Sequence, residues 1–265
     1  MKHRILTFLS LLTLTVRAAE TTLIDSGGRA NWLYAPTDKP AMEKTYWQVG
    51  GVAPWAGEFD DVIVLGPSFQ QGRPENTNRL TASSATTTNS TNTVAAPSLA
   101  GMPRTSYQMS GPAHEAKLRE LIAEVGKTWK LRPKIFLHGF SAGAQFTHRF
   151  AFRNPQIVAG VTAHSGGSWA NVAGDDRINP AAKSIPFVVS CGEEDKGTGG
   201  PRGTPTRIEG AKQFATNLES LGFTVDLKTW PGVAHTLTTE AKAMGKALLA
   251  KVRAADHTTS ITAKP

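Results

Sequence analysis

The sequence Gly139-Phe-Ser-Ala-Gly143 constrains the fold of this chain more than any other feature. An apolar run at 135–137 precedes it and is long enough for a buried strand, and a helix-compatible segment follows to about Arg153. In that context the motif predicts a sharp strand–turn–helix elbow that lifts the hydroxyl of Ser141 clear of the sheet edge. We expect both glycines to leave room for a strained backbone and a close strand–helix approach. An ordinary glycine–serine turn is the alternative, because the chain contains 25 glycines.

Segments with strand and helix patterns alternate along the rest of the chain. The clearest helix runs from Pro112 to Lys130, with apolar residues at helical spacing on one face. Several strands are continuous apolar runs, which suit a parallel sheet covered on both faces. The sequence therefore predicts an α/β fold with a mostly parallel central sheet, helices on both faces and a single domain over 19–255, followed by a polar tail at 256–265. The predicted strands are 31–36, 44–49, 61–65, 135–137, 157–163, 185–191 and 224–230, and the remaining helices are 208–221 and 238–252.

The first 18 residues have the composition of a secretory signal peptide. A basic start is followed by 12 mostly apolar residues, and small residues precede the end at Ala18. We expect cleavage there and a secreted or periplasmic mature protein. An uncleaved membrane anchor is the alternative, but the apolar run is short for a span.

The charge and the cysteine content of the chain argue against a nucleic-acid-binding protein and against a fold held by disulfides. The formal net charge is +8, and it falls to +5 in the mature chain because residues 1–18 contain three Lys or Arg and no acid. The positive charges are scattered, so a nucleic-acid partner is not expected. Cys191 is the one cysteine of the sequence, which rules out an intramolecular disulfide. It lies in an apolar strand, where a buried and inert thiol is expected.

Residues 70–110 differ in character from the segments around them. The stretch at 81–93 is rich in Thr, Ser and Asn, and it has too few apolar side chains to order itself by burial. We expect a variable, partly flexible insertion, which is either a disordered surface loop or a segment near the mouth of a site.

A serine hydroxyl becomes a good nucleophile only when a base accepts its proton. His235 is the expected base, because it follows the last predicted strand and so lies at the carboxyl edge of the sheet. His164 ends another strand at that edge and is the alternative, although a pocket-lining or structural role suits it better. His148 lies on a predicted helix, where a surface or capping position is expected, and His138 should point into the sheet.

The base needs a third group that fixes its tautomer, and this group should fall between Ser141 and His235 in the chain. Asp195 is the expected residue, because the loop after the strand at 185–191 carries three acids in a row. Glu193 and Glu194 are the alternatives within that loop. The two acids at 175–176 are expected in a solvent-exposed turn, so they are weaker candidates for this third group.

The chain order Ser141, Asp195, His235 resembles that of the α/β-hydrolase superfamily. The sequences Gly-Phe-Ser-Ala-Gly-Ala-Gln-Phe, Gly-Glu-Glu-Asp and Pro-Gly-Val-Ala-His are similar to its secreted esterase and polyhydroxybutyrate-depolymerase-like branch, over about 44–252. The resemblance implies an α/β-hydrolase fold in which Ser141 is acylated, His235 moves protons and Asp195 orients the imidazole. It also implies that the N–H of Ala142 contributes to an oxyanion hole, and that neither a metal nor a cofactor takes part.

The early loop departs from the pattern of that superfamily. A His-Gly-Gly-type sequence normally supplies a second oxyanion N–H, but Tyr46 to Trp55 contains no His-Gly. Gly51 is the expected donor, with Gly50 and the segment around Ser68 as alternatives. Because one donor is worth on the order of 10²–10³ in rate, a weakly active or inactive relic that binds a polymer is also possible from the sequence.

The sequence thus predicts a secreted serine hydrolase of carboxylic esters. Polyesters, either polyhydroxyalkanoate or aromatic, and feruloyl or acetyl esters of polysaccharides are the expected substrates. A serine peptidase of the same fold is the alternative. Phe140, Trp169 and Phe69 are candidates for binding the substrate, with Trp55 a weaker one. The expected partner is the ester substrate alone, with no nucleic acid, no membrane after signal removal and a monomeric state.

Overall fold

A computed structural model describes residues 18–24, 30–36, 45–48, 62–67, 112–174, 176–198 and 204–262. Residues 1–17 of the signal peptide predicted at 1–18 and the insertion predicted at 70–110 lie outside these residues, so both stay predictions. No helix in the described ranges is long and apolar enough to cross a membrane.

The described residues form one eight-stranded sheet, and each predicted strand is present with its ends moved by at most a few residues. The first strand was not predicted, because its sequence mixes alanine, threonine and an acid without alternation. In chain order the strands are β1 (Ala18–Ile24), β2 (Ala30–Pro36), β3 (Thr45–Gln48), β4 (Val62–Gly66), β5 (Ile135–Phe140), β6 (Val158–His164), β7 (Phe187–Gly192) and β8 (Val225–Trp230).

Four α-helices connect or follow these strands in the described ranges. The first is shorter than predicted, since the chain turns after Gly126, although Trp129 still packs against the core. The last continues to Thr262, so the segment predicted as a polar tail begins inside a helix. The helices are α1 (Pro112–Gly126), α2 (Ala142–Arg153), α3 (Arg207–Ser220) and α4 (Thr239–Thr262), and two short 3-10 helices lie at Pro155–Ile157 and Pro180–Ala182.

The strand order brings the predicted nucleophile to a switch point of the sheet. The order is β1-β2-β4-β3-β5-β6-β7-β8, in which β1 and β2 are antiparallel and β3 to β8 are parallel. The chain steps toward one edge from β3 to β4 and toward the other edge from β5 onward. In open α/β sheets, ligands bind outside the carboxyl ends of the strands where the order reverses in this way. Ser141 directly follows β5 and so lies at this position.

Hydrophobic cores lie on both faces of the sheet, as predicted for a parallel sheet covered by helices. One core joins Leu137 on β5 to Phe146 on α2 and Phe214 on α3. The other joins Phe136, the neighbour of Leu137 on β5, to Leu249 on α4. Because successive side chains of a strand point to opposite faces, the apolar run of β5 supplies both cores.

Candidate active site

Ser141 lies in the elbow between β5 and α2 with a backbone conformation that is rare for a residue with a side chain. Its φ is 56° and its ψ is −118°, and its N–H donates to the carbonyl of His164 at 2.9 Å. A positive φ costs on the order of 1–3 kcal/mol in a residue other than glycine and persists where the surroundings enforce it. The strained turn predicted from the sequence is therefore present, and it directs the hydroxyl toward the carboxyl edge of the sheet.

The two glycines of the motif differ in what they contribute. A Cβ at Gly139 would collide with the backbone of Gly143, so only glycine allows β5 and α2 to approach this closely. A Cβ at Gly143 would meet no atom of the described residues within 4 Å. Within that part of the chain, the expectation that both glycines are required sterically is thus wrong for Gly143, because no described residue packs against the first turn of α2 at this position.

His235 connects Ser141 to Asp195 through its two ring nitrogens. Nε2 lies 2.9 Å from Oγ of Ser141, and Nδ1 lies 2.7 Å from Oδ2 of Asp195. Because an ionised carboxylate can only accept, Nδ1 carries the proton and Nε2 is left to accept from the serine hydroxyl. The structure therefore brings together the three residues that the sequence singled out, in the order of contacts that general-base activation requires.

The loop that carries His235 is docked directly on the end of β7. The N–H of Glu194 donates to the carbonyl of Val233 at 2.9 Å, and the N–H of Glu193 donates to that of Trp230 at 3.0 Å. A Cβ at Gly192 would overlap the carbonyl oxygen of Val233. Glycine at the end of β7 thus lets the acidic loop and the histidine loop share backbone hydrogen bonds, and this fixes the distance between Asp195 and His235.

Only one of the three consecutive acids faces His235. The side chain of Asp195 is 2 % exposed, and besides His235 it contacts Nη1 of Arg207 at 3.3 Å through Oδ1. Glu193 accepts from the hydroxyl of Thr229 on β8, whereas Glu194 pairs with Lys196 at the surface. The geometry therefore separates Asp195 from the two alternatives that the sequence left open.

His164 occupies a buried position under the elbow rather than the position of a base. It is 1 % exposed, and its Nδ1 lies 2.6 Å from the hydroxyl of Ser190 on β7. Burial lowers the pKa of His164 to about 3, which makes it a neutral group at any ordinary pH. Its backbone carbonyl accepts from the N–H of Ser141, which fits a structural role, one of the two that the sequence favoured over that of a base.

His148 does not lie on the surface of α2, contrary to the expectation from the sequence. It is fully buried, its Nδ1 lies 2.7 Å from the carbonyl of Ala144, and its Nε2 accepts from the N–H of Ala170. Its ring stacks on Trp169 with the centroids 5.3 Å apart. The expectation that His148 lies on the surface of the helix was wrong because the loop after β6 folds back over α2 and covers this face.

The candidate substrate-binding residues fall in different places. The ring of Phe140 lies 4.8 Å from that of His235, centroid to centroid, and so borders the reacting groups. Trp169 stacks on Phe214 and lines a cavity of about 180 Å³ between the loop after β6 and α3, together with Gln213 and Asn217. Phe69, together with Trp55 and the predicted oxyanion donor Gly51, lies outside the described residues.

The charges and donors around Ser141 suit acyl transfer to its hydroxyl. Ala142 is the first residue of α2, and the first N–H groups of a helix have no partner within the helix and carry a partial positive charge. An oxyanion formed next to Oγ would lie against this helix end. The described residues contain no cluster of His, Cys, Asp or Glu that could hold a metal ion.

Comparison with protein families and with solved structures gives one sequence match and several structural ones. The model of the dienelactone hydrolase family matches residues 101–263, which include Ser141, Asp195 and His235. No curated protein matches the sequence.

Solved structures with the same fold come from several hydrolases. Poly(aspartic acid) hydrolase-1 from Sphingomonas sp. KT-1 is 18% identical with a TM-score of 0.58, and the match covers 88% of this chain and 98% of that one. The poly(3-hydroxybutyrate) depolymerase LpqC from Bordetella parapertussis is 16% identical with a TM-score of 0.52, over 86% and 87% of the two chains. S-formylglutathione hydrolase from Staphylococcus aureus is 13% identical with a TM-score of 0.55, over 89% and 96%. At these identities the likeness shows the fold, which is the predicted α/β-hydrolase fold.

Proposed function

The chain belongs to the dienelactone hydrolase family, and on that premise we propose that it hydrolyses carboxylic esters through an acyl-enzyme formed on Ser141. A lactone is a cyclic carboxylic ester, so the reaction class is that of the family. The observation that supports the assignment of residues is the series of hydrogen bonds from Ser141 through His235 to Asp195, at 2.9 and 2.7 Å. This arrangement is what a serine nucleophile needs to lose its proton as it attacks.

In the first step, Oγ of Ser141 attacks the carbonyl carbon of the ester while its proton passes to Nε2 of His235. The carbonyl electrons move to the oxygen, which we place against the N–H of Ala142 at the start of α2. The carbonyl then re-forms, the bond to the alcohol oxygen breaks, and His235 gives its proton to the leaving alkoxide. Asp195 stabilises the imidazolium that exists between these two transfers.

In the second step, water takes the place of the alcohol. His235 accepts a proton from the water as the water oxygen attacks the acyl carbon. The bond from the acyl carbon to Oγ of Ser141 then breaks, His235 returns the proton to Oγ, and the acid leaves. The second oxyanion donor is assigned, as a proposal, to the N–H of Gly51. The short early loop predicts that this donor is the weaker part of the site.

For the substrate we propose an ester of a polymer, either a polyester or an acyl-decorated polysaccharide. Phe140 supports this, because its ring lies beside His235, where it would pack on an apolar or aromatic acyl group. Two of the structural relatives are named for polymeric substrates, but at 18% and 16% identity they share only the fold with this chain. A polymer also fits the export that the first 18 residues predict, since a polymer cannot enter the cell.

Export itself is a separate proposal that rests on the N-terminal sequence. Expression of the full chain in a secreting bacterial host should give a mature protein that begins at Ala19, as read by N-terminal sequencing. Recovery of the chain with residues 1–18 attached, in the membrane fraction, would support the anchor instead.

Hydrolysis of p-nitrophenyl esters tests the proposed function. The acetate, butyrate and octanoate should be cleaved by the wild-type chain and not by Ser141→Ala. The wild-type chain should cleave the matched p-nitroanilides far more slowly than the esters. Folded wild-type protein that cleaves none of these esters would contradict the proposal and favour a binding relic. Cleavage of anilides at rates similar to those of the esters would favour a peptidase.

A further inference from the structure

Arg207 contacts the one carboxylate oxygen of Asp195 that His235 leaves free. Its Nη1 lies 3.3 Å from Oδ1, whereas His235 lies 2.7 Å from Oδ2. The carboxylate is 2 % exposed and the side chain of Arg207 is 21 % exposed. The carboxylate is thus shielded from water while the guanidinium stays partly solvated, so the attraction between them is screened less than in an ion pair between two exposed side chains. The hydrolytic mechanism above does not use Arg207.

The fold brings Arg207 to this position through a backbone contact with Gly197 in the loop after β7. Its N–H donates to the carbonyl of Gly197 at 2.9 Å, and a Cβ on Gly197 would collide with Nη1. Arg207 is also the first residue of α3, where Thr206 and Glu209 form a capping box. The guanidinium is therefore held by a fixed helix start, in space that a glycine leaves open.

Few other charged or titratable groups face this carboxylate and the imidazole. From β7, Cys191 lies 3.8 Å from Oδ2, and burial raises the pKa of this thiol to about 11, so it stays neutral. The neighbouring acids are engaged elsewhere, with Glu193 on Thr229 and Glu194 on Lys196. From β5, the uncharged ring of Phe140 faces His235, and the nearest group in the elbow is the hydroxyl of Ser141. Among the described residues, Arg207 is thus the cation that acts on Asp195.

We propose that Arg207 is a positioning residue of the hydrolytic site, an inference that rests on the proposed function. Its guanidinium holds Oδ1 of Asp195 so that Oδ2 faces His235. Its positive charge also offsets part of the attraction that the carboxylate exerts on a protonated imidazole.

The sign of the pH effect distinguishes this role from a structural one. Removing the cation strengthens the negative field at His235 and favours the imidazolium, so the acidic limb of the kcat/KM profile should move to higher pH. Because the carboxylate of Asp195 separates the guanidinium from the ring, we expect a shift of at most about one pH unit, the lower end of what a charge in direct contact produces. Arg207→Gln should show this shift, whereas Arg207→Lys keeps the charge and should shift less than half as far.

The experiment measures the pH profile of p-nitrophenyl acetate hydrolysis and, in parallel, the NMR titration of the His235 ring in the full chain. An upward shift in both measurements for Arg207→Gln, with partial rescue by Arg207→Lys, is the expected result. Profiles that superimpose after scaling would overturn the proposal, even if the variant is slower or less stable. Should Arg207→Gln fail to fold, Arg207→Met keeps an unbranched stem and removes the same charge.

The NMR arm separates this inference from the proposed function. A shifted titration of His235 in a chain that cleaves no ester would leave the role of Arg207 standing and defeat the proposed function. Ester hydrolysis that depends on Ser141, together with an unshifted titration of His235, would support the proposed function and defeat the role of Arg207.

Discussion

At the scale of single residues, three adjacent carboxylates have three different environments. Asp195 is buried between His235 and Arg207, Glu193 bonds a threonine of β8, and Glu194 is in solvent with Lys196. The turn that brings the N–H of Asp195 to the carbonyl of Gly192, at 3.1 Å, directs the third side chain inward. Position in this turn, rather than acidity, therefore decides which carboxylate contacts the imidazole.

The replacement Asp195→Asn tests this assignment. An amide can donate to Nδ1, which would place the imidazole proton on Nε2 and leave no acceptor for the serine hydroxyl. Loss of the correct tautomer lowers kcat by about 10⁴ in serine hydrolases, and we expect a loss of that order in ester hydrolysis.

The matched control for that replacement is Glu194→Gln, one residue away and exposed. It should change kcat/KM by less than about fivefold, because a surface pair is worth at most about 1 kcal/mol even if all of it were lost in the transition state. A loss of activity that is equal in the two variants would contradict the separate roles of the two acids.

The placement of residues could be predicted where chain order alone carries the information, whereas their catalytic roles stay predictions. Ser141, Asp195 and His235 each follow a strand end, so their meeting at one sheet edge could be predicted. Arg207 could not, because its contact depends on how α3 begins after a loop; the one available signal was the capping box of Thr206 and Glu209 before it. The burial of His148 was missed for the same reason, since a loop distant in sequence covers it.

At the scale of elements, the elbow depends on the close approach of β5 and α2 at Gly139. Gly139→Ala should separate the two elements, move Ser141 and lower both stability and ester hydrolysis, because the added Cβ collides with backbone that cannot yield locally. Thermal unfolding and kcat/KM measure the two effects.

The control for that change is Gly143→Ala, in the same motif. Its Cβ would meet no described residue in the first turn of α2, where alanine is a better helix former than glycine by about 1 kcal/mol. We expect unchanged or slightly raised stability and activity within a few-fold of the wild type. Equal damage from both substitutions would contradict the steric account of the motif.

The helices and strands were predicted most accurately where the hydrophobic pattern is strongest. Buried strands such as β4 and β7 were predicted within two residues, because parallel strands covered on both faces are continuous apolar runs. β1 was missed, since its edge position and antiparallel pairing do not demand such a run. α1 was predicted too long because Trp129 continues the helical spacing after the backbone has already turned.

At the scale of the whole molecule, three histidines are buried uncharged in the protein core. Burial lowers the pKa of His164 to about 3, and it lowers the pKa values of His138 and His148 well below the usual range. In the unfolded chain all three titrate near pH 6.5. The unfolded state therefore binds more protons than the folded state below that pH.

This difference predicts that the free energy of unfolding decreases as the pH is lowered through a defined range. Because the folded-state pKa values are depressed, the contribution of these histidines to the free energy of unfolding is fully present above pH 6.5. It is lost as the pH falls from 6.5 toward 3, since protonation then increasingly favours the unfolded chain. Each histidine contributes up to about 1.4 kcal/mol per pH unit to the slope. Urea unfolding at pH 7.5, 6, 5 and 4.5 should therefore show a steep loss of stability in acid.

The control is His164→Asn, which removes one of the titrating groups. Its free energy of unfolding should depend less steeply on pH than that of the wild type between 6 and 4.5, whatever its stability at pH 7.5. A wild-type stability that stays flat across this range would contradict the burial of these histidines as neutral groups.

The nucleophilic role of Ser141 is tested most directly by covalent labelling. The full chain is treated with phenylmethylsulfonyl fluoride, and the adduct is located by mass spectrometry of its peptides. One adduct on Ser141, formed rapidly in the wild type, slowly in His235→Ala and not at all in Ser141→Ala, is the predicted result. An unlabelled wild-type chain, or an adduct on another serine that persists in Ser141→Ala, would contradict the account.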